Sequence, residues 1–243
     1  SYFNRVSNTM SNIIINSYRA GTPVASFTDS YSVTFDGTND YVTAHGVASS
    51  INGASGSISC WFKLNTIGNS RRLYMFRVDS SNFISILYHA YYNRLYAQHK
   101  GNGTITTAIN TSVAVENNGW HHVVHTWSQS ADQNKIYVDN TTVVTSTGVS
   151  NWVDEEGGLQ VYLGQSGTSG GYWDGNIDDF AIYSDVLTSS EVSTIYNSGS
   201  PNDLTGLGSA GTLIAYWKME NSTDDGSGEG NAITLVNGAA FDS

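Results

Sequence analysis

Apolar and polar residues alternate along most of the chain, in short runs separated by Gly, Asn and Ser. A period of two is typical of β-strands that bury one face. In SGSISCWFKLN (55–65), for example, every second residue from Ile58 to Leu64 is apolar. The same pattern predicts further strands, several of them paired as hairpins, at 30–42, 83–101, 120–128, 135–147, 159–166, 175–187, 213–220 and 233–241.

One segment has a helical pattern instead. In LTSSEVSTIYNSG (187–199), Thr188 and Glu191 have the spacing of a capping box, and apolar residues follow at helical intervals. Gly199 stands where a helix commonly ends. A single short helix among many strands predicts an all-β, antiparallel jelly-roll β-sandwich, with the helix covering an edge or a corner.

The domain organisation follows from where the alternation begins and ends. Residues 1–24 have no clear period and are interpreted as an N-terminal extension or arm. Residues 25–243 then form the sandwich. Within it, 201–243 reads as a linker followed by C-terminal strands.

The amino-acid composition argues against several classes of binding partner. Lys and Arg number 10 against 21 Asp and Glu, so the net charge is −11, and such a chain repels phosphate backbones and argues against nucleic-acid binding. No apolar run, Ile13–Ile15 included, approaches the ~20 residues of a spanning helix, which argues against membrane insertion. The single cysteine, Cys60, can form no internal disulfide and is predicted to lie in the core.

Four stretches, in order, resemble the laminin-G-like jelly rolls of the concanavalin A-like lectin/glucanase superfamily. They are YSVTFDGTNDYV, SISCWFKL, GWHHVVHTWSQSADQNKIYVDN and GNIDDFAIYSDVLTSSEVSTIYNSG. Their order and spacing agree with the family over roughly 25–200. The resemblance implies a concanavalin A-like fold, and it specifies a function much less closely than a fold.

The C-terminal segment, LIAYWKMENSTDDGSGEGNAITLVNGAAF, resembles the part that usually precedes the FDGTNDYV strand in such domains, yet here it comes last. We favour a fold-back into the first-strand position, a circularly permuted arrangement that requires neighbouring termini. A second repeat, or a strand lent to a neighbour, is the alternative. This layout also resembles that of multi-copy phage surface proteins of marine type.

The stretch GWHHVVHTW (120–128) is the most conspicuous candidate for chemistry. On a strand, His121 and His125 share a face but lie about 13 Å apart, and His122 points to the other face. First-shell metal ligands lie at about 2 Å, so no two of these side chains can bind one ion. We interpret the histidines as structural, with their rings hydrogen-bonded to neighbours.

Catalysis is not favoured. Sugar-cleaving relatives carry an ExDxxE arrangement, whose carboxylates share one strand face about 5 Å apart for a retaining mechanism, and the chain has no such run. Glu155 and Glu156 are adjacent and would face apart on a strand, as would Asp178 and Asp179. We therefore expect a protein that is not an enzyme.

A structural calcium ion is expected from the resemblance, because the family commonly holds one with the Asp of its IDD or IDE strand. Here that residue is Asp178, which shares parity with Phe180 and is predicted to point toward the core. Further oxygens could come from Asp36, Asp40 or Glu220. The alternative is that Asp178 accepts turn N–H bonds or pairs with a cation.

Aromatic residues in turns are the candidate ligand-binding groups, because sugars lay their CH faces on exposed rings. Tyr91 and Tyr92 lie at a predicted turn, Tyr172 and Trp173 lie in a glycine-rich loop, and Trp152 lies in another loop. The alternative is that these rings cap the sandwich or line a subunit interface.

These observations favour a non-enzymatic carbohydrate-binding or adhesion module on an extracellular or virion surface, whose partner is a glycan or cell-surface polysaccharide. The alternative is a structural or decoration protein of a phage-like particle that contacts other virion subunits. A glucanase- or lyase-type enzyme is a distant third.

Overall fold

A computed structural model describes residues 29–110, 115, 119–141, 144–152, 158–168, 170–207 and 213–243. The predicted arm, 1–24, lies outside these residues. In chain order the strands are β1 (Ser32–Asp36), β2 (Tyr41–Thr43), β3 (Ser55–Leu64), β4 (Arg71–Arg77), β5 (Phe83–His89), β6 (Arg94–Gly101), β7 (Thr104–Ile109), β8 (Trp120–Ser128), β9 (Gln133–Val138), β10 (Val144–Ser146), β11 (Gln160–Leu163), β12 (Asp174–Tyr183), β13 (Leu213–Trp217), β14 (Thr234–Val236) and β15 (Ala240–Asp242).

The strands form two antiparallel sheets, as predicted for a jelly-roll sandwich. The back sheet has the order β10-β9-β8-β3-β12-β1-β15, with β13 also paired to β12. The front sheet has the order β14-β2-β11-β4-β5-β6-β7. We call the outward-facing surfaces of these sheets the back face and the front face.

The main core lies between the sheets and is built from alternate residues of each strand. Ile58, Cys60, Phe62 and Leu64 all point into it from β3, as the alternation predicts. Burial raises the pKa of the Cys60 thiol, so it is a protonated core residue.

A second apolar cluster lies on the back face, under the helix α1 (Ser189–Tyr196). Thr188 and Glu191 form the predicted capping box, and Asn197 ends the helix in the left-handed region. Val192 and Ile195 are the buried residues of the helix. The helix therefore covers part of the back face and leaves the front face open.

The C-terminal strands pair within their own chain. β13 lies beside β12, β14 beside β2, and β15 beside β1. The single final strand expected over 233–241 is instead two strands in opposite sheets. Asn237, at a φ of 58°, lies in the turn between them, and a turn is needed because each strand extends a different sheet.

Within the described residues, no helix is both long and apolar enough to cross a bilayer.

Candidate functional site

The histidine-rich strand β8 is an interior strand of the back sheet, between β9 and β3. The His125 ring lies in the core. Its Nδ1 contacts the Tyr74 hydroxyl, and its Nε2 lies 2.7 Å from Asn134 Oδ1. His122 faces the opposite way, and its Nε2 lies 2.8 Å from Ser59 Oγ. Burial lowers the pKa of His125 to about 3 and that of His122 to about 4. Both rings are therefore neutral structural groups, as strand geometry predicts.

Four rings form a cluster at the β5–β6 turn of the front sheet. Tyr91 is 84% exposed and Tyr92 is 57% exposed. The two rings meet edge to face at a centroid distance of 4.8 Å. His89 lies 5.0 Å from both Tyr92 and Tyr96. We call His89, Tyr91, Tyr92 and Tyr96 the tyrosine cluster.

The tyrosine cluster continues onto the front face along β6. Tyr96 pairs with Leu87 of β5, and Gln98 pairs with Ser85 one step further along the strand. Because side chains two residues apart share a face, Tyr96 and Gln98 line the same surface. The result is an open face with rings at one end and polar groups beyond them.

Trp173 does not belong to this surface, which corrects the expectation that it binds ligand. Its side chain is 0% exposed, its Nε1 donates to the Lys63 carbonyl at 3.1 Å, and its ring meets Phe62 edge to face. The backbone after Gly171, at a φ of 67°, turns the ring inward. Trp173 is a core residue and offers no face to a sugar.

Tyr172 and Trp152 are both partly exposed. The Tyr172 carbonyl accepts a hydrogen bond from Arg71 Nη1 at 2.7 Å. The Trp152 ring packs so closely over Gly53 that a Cβ there would lie 1.4 Å from the indole. Trp152 therefore closes one end of the core, and neither residue joins the tyrosine cluster.

Asp178 faces outward, onto the back face, which corrects the prediction that it points to the core. A β-bulge between Asp178 and Ala181 shifts the register against β3, and Asp179 has a φ of 46°. The bulge adds a residue, so parity counted back from Phe180 fails. Asp178 instead pairs with Trp61, whose side chain lies on the outer side.

A carboxyl cluster surrounds this bulge. The carboxyl group of Asp29 lies near those of Asp178 and Glu220, and burial together with Glu220 raises the pKa of Asp29. Burial, then the nearby carboxylates, raises the pKa of Asp178 to about 10. Burial also raises the pKa of Asp179 to about 8, against the hydrogen bond from the Tyr216 hydroxyl. Such a cluster is strained when charged, so it holds protons or a cation.

Asp36 and Asp40 lie apart from that cluster. Asp36 Oδ1 accepts from the Thr38 N–H at 2.8 Å, and Asp40 accepts from the N–H groups of Asp36 and Gly238. Asp36 pairs with Asp174, four residues along β12 from Asp178 and therefore about 13 Å away. Both carboxylates order turns, and of the expected metal ligands only Asp178 and Glu220 come together.

The oxygen atoms of the carboxyl cluster show how well it would coordinate calcium. Asp179 Oδ2 is buried without a hydrogen-bond partner, so this oxygen is available to coordinate a cation. As placed, however, no three His, Cys, Asp or Glu side chains among the described residues form a metal-binding group. An ion here would therefore need Asp178, Asp179, Asp29 and Glu220 to close around it, with backbone carbonyls completing the shell.

A cavity of about 420 Å³ opens on the back face beside this cluster. Its lining includes Tyr31, Trp61, Trp120, Lys63 and Asp178. Lys63 Nζ lies 5.5 Å above the Trp120 ring, so part of the aromatic wall already faces a cation. The cavity is a second surface on which a polar ligand could be held.

The model of one family matches residues 36–193: Laminin_G_3, of the concanavalin A-like lectin/glucanases superfamily. The chain belongs to this family. A search of the curated proteins finds no match to the chain.

Solved structures resemble this Laminin_G_3 chain at low sequence identity. A candidate carbohydrate-binding protein of Bacteroides ovatus has a TM-score of 0.65 at 16% identity, over 89% of this chain and 60% of that one. The heptameric SAP-like pentraxin of Limulus polyphemus has a TM-score of 0.53 at 16% identity, over 85% and 94%. The sialidase CBM40 of Ruminococcus gnavus, bound to α2,3 sialyllactose, has a TM-score of 0.56 at 14% identity, over 68% and 95%. These likenesses establish the fold.

Sequence reasoning about this family member missed two groups of residues. Tyr96 and His89 looked like ordinary strand residues, and only the β5–β6 register places their rings beside Tyr92. Asp29 follows an aperiodic stretch and gave no signal. The alternation of side chains along β5 and β6 could have predicted that His89 and Tyr96 share a face. No local sequence pattern could have predicted the position of Asp29.

Proposed function

We propose that this protein is a non-enzymatic carbohydrate-binding module that acts outside the cell, with the tyrosine cluster holding the glycan on the front face. The exposure of Tyr91 and Tyr92 carries the proposal. Large aromatic rings are usually buried, and a group of exposed ones on a rigid scaffold marks a binding surface. The sandwich supplies that rigid support, and His89 supplies a polar group beside the rings.

The structural neighbours support the same class of ligand. The CBM40 structure holds α2,3 sialyllactose, and domain 4 of the arabinanase AbnA from Geobacillus stearothermophilus was solved with arabinotriose. Each shares the fold of this chain at 16% identity or less, so neither specifies which residues bind here. The choice of the front face rests on the rings themselves.

A binding experiment with matched variants tests the choice of face. Wild type and a Tyr91→Ala/Tyr92→Ala variant are compared on a glycan array and by affinity electrophoresis in polysaccharide gels. Because each ring contact contributes roughly 0.5–1.5 kcal/mol, we expect about tenfold weaker binding in the variant. Both side chains are exposed, so its melting temperature should not change.

Trp120→Ala is the matched control, because Trp120 is 42% exposed and lines the cavity on the opposite face. Binding that survives the tyrosine changes and is lost with Trp120→Ala would move the site to the back face. No binding to any glycan, together with self-association in light scattering, would favour the interaction-only module over a glycan binder.

We propose further that the protein is not an enzyme. Asp29 and Asp178 both line the back-face cavity, but their carboxyl groups interact directly with each other. A retaining glycosidase needs its two carboxyl groups about 5 Å apart, with the sugar between them. Glu155 and Glu156 lie outside the described residues. Reducing-sugar release from a panel of β-glucans, above that of an Asp178→Asn variant, would overturn this part of the proposal.

Structural calcium is a separate part of the proposal, supported by the unpaired Asp179 Oδ2 and the raised pKa of its neighbours. A bound ion would neutralise the carboxyl cluster and fix the C-terminal segment at Glu220 against β12. Chelation should then lower the melting temperature, and added calcium should restore it. An unchanged melting temperature after chelation would remove calcium from the proposal.

We also propose that the surface on which the module acts is that of a virion. The support is the layout of the C-terminal segment, whose strands follow the helix and then pair with β1, β2 and β12. Inspection of the neighbouring genes tests it, since capsid or tail genes are expected beside this one.

A further inference from the structure

Charge is divided unequally between the two sheets. The front-sheet strands contain five cations and no Asp or Glu: the cations are Arg71, Arg72, Arg77, Arg94 and Lys100. The back-sheet strands contain five carboxylates: Asp36, Asp174, Asp178, Asp179 and Asp242. Arg71 is ion-paired with Asp174 of the back sheet, so four cations remain for the front sheet. In a chain with a net charge of −11, they form a distinct positive surface.

Two of these cations lie over one ring of the front face, and a third is its neighbour in the sheet. Phe83 pairs directly with Arg77 on one side and with Lys100 on the other. Arg72 Cζ lies 6.0 Å from the centre of the Phe83 ring, and Lys100 Nζ lies 5.7 Å from it. We call Arg72, Arg77 and Lys100 the cation cluster. Positive charges grouped on one surface attract an anion, which would interact favourably with all three.

Arg72 is held in place before any ligand arrives. Its Nη1 donates to Ser85 Oγ at 2.8 Å and to Gln98 Oε1 at 2.6 Å. Both partners are neutral, so they orient the guanidinium without cancelling its charge. Among the described residues no carboxylate forms an ion pair with Arg72, and the nearest acidic influence on the cation cluster is Asp79, whose pKa is lowered by backbone hydrogen bonds and in part by Arg77. A preorientated, uncompensated guanidinium suits a planar carboxylate or a sulfate.

The cation cluster and the tyrosine cluster lie on the same face. Tyr96 and Lys100 point outward from β6, four residues and therefore about 13 Å apart. Arg94, beside His89 in the β5–β6 pairing, adds a further cation at the aromatic end. A ligand that touches both ends must be an extended chain with apolar ring faces and negative charges.

We propose that the front face binds an anionic polysaccharide, one that carries carboxylate or sulfate groups, with its sugar rings on the tyrosine cluster and its acidic groups on the cation cluster. This inference rests on the proposed carbohydrate-binding function and names its ligand class. Single-stranded nucleic acid also combines rings and charge. Repulsion by the carboxylates elsewhere on the molecule acts on both polyanions, so the experiment below includes oligo(dT) to distinguish them.

The test compares a polyanion with the same polymer made neutral. Polygalacturonic acid and its fully methyl-esterified form share one backbone, as do dextran sulfate and dextran. The full chain is run by affinity electrophoresis and titration calorimetry against each pair. We expect the charged member of at least one pair to bind at least tenfold more tightly, and its binding to weaken as salt is raised.

An Arg77→Gln/Lys100→Gln variant removes two surface charges and leaves the Arg72 hydrogen bonds in place. Two exposed ion contacts together correspond to about tenfold in affinity for the charged polymer. Lys135→Gln, which removes a cation from β9 on the opposite sheet, is the matched control and should bind as wild type does.

The outcomes separate the two proposals. Equal binding of charged and neutral polymers, lost with Tyr91→Ala/Tyr92→Ala but not with Arg77→Gln/Lys100→Gln, would overturn the anionic class and keep the carbohydrate-binding function. No binding to any of the four polymers or to the glycan array would overturn both. Binding of oligo(dT) as tightly as the charged polysaccharide, with the same sensitivity to Arg77→Gln/Lys100→Gln, would overturn the assignment to a glycan.

Discussion

Replacing His122 with glutamine tests how burial of the histidine-rich strand connects stability to pH. The His122 ring packs against Trp61 and Tyr196, under the end of α1, and its Nε2 lies 2.8 Å from Ser59 Oγ. Burial lowers its pKa from 6.5 to about 4. Glutamine keeps a polar group within reach of Ser59 and removes the titrating ring.

The sign of the effect follows from the lowered pKa. Above pH 6.5 the ring is neutral in both the folded and the unfolded chain, so it contributes nothing to the pH dependence. Between pH 6.5 and about 4 the unfolded chain takes up a proton that the folded chain does not, and stability falls. At pH 5, 1.5 pKa units below 6.5, the loss is about 2 kcal/mol. For a chain of this length that corresponds to about 4–8 °C in melting temperature.

The measurement is urea unfolding, followed by circular dichroism, at pH 7.5 and pH 5.0. The change in unfolding free energy between the two pH values should be about 2 kcal/mol more unfavourable in wild type than in His122→Gln. The raised pKa of Asp178 and Asp179 acts in the opposite direction, but it is common to both proteins and cancels in this comparison.

Ser59→Ala is the matched control, because it removes the hydrogen-bond partner and keeps the imidazole. It should destabilise the protein by a similar amount at both pH values. If wild type and His122→Gln show the same pH dependence, then the His122 ring is not held neutral by burial, and the structural role given to the β8 histidines is wrong.

Three further changes test other parts of the structure. Trp173→Ala should cost about 3–5 kcal/mol of unfolding free energy because it empties a fully buried site, whereas an exposed ligand-binding ring would give almost no change in a melting curve. Gly175→Ala should prevent proper pairing of β12 with β3, since a Cβ at a φ of 146° would lie 2.0 Å from the Lys63 carbonyl oxygen; near-normal expression and melting would contradict this geometry. In chelated protein, stability should fall from pH 5 to pH 8 because Asp178 has a raised folded pKa, and Asp178→Asn should remove that part of the fall; an identical profile in the variant would show that Asp178 is not buried as described.

Alternation in the sequence predicted most strands because each strand has one face in the core. The hairpin at 83–101 and the strand at 55–65 were confirmed in position. The strand over 175–187 was predicted too, and Phe180 and Ile182 lie in the core as expected, but the parity was wrong at Asp178. A bulge adds one residue to one strand, and nothing in the local pattern of hydrophobicity reveals it. That single residue moved Asp178 from the core to the back face.

Some residues of the candidate site could be placed from the sequence, and others could not. Tyr91 and Tyr92 could be placed at a turn from the sequence, since the residues that connect two paired strands lie at the surface. Trp173 could not be distinguished from them, because a glycine-rich loop can direct an aromatic ring into the core as readily as out of it. Its burial depends on Phe62 and the Lys63 carbonyl, which are more than a hundred residues earlier in the chain.

By itself, the sequence determined the sandwich, the capped helix and the structural role of the histidines. These depend on periods, caps and distances along one strand, which are local. Only the tertiary structure decided that Arg72 and Lys100 lie over Phe83, and that Asp29 reaches Asp178. Both groupings join residues from separate strands or distant segments. Strand register and sheet order bring them together, and these are set by packing across the whole sandwich.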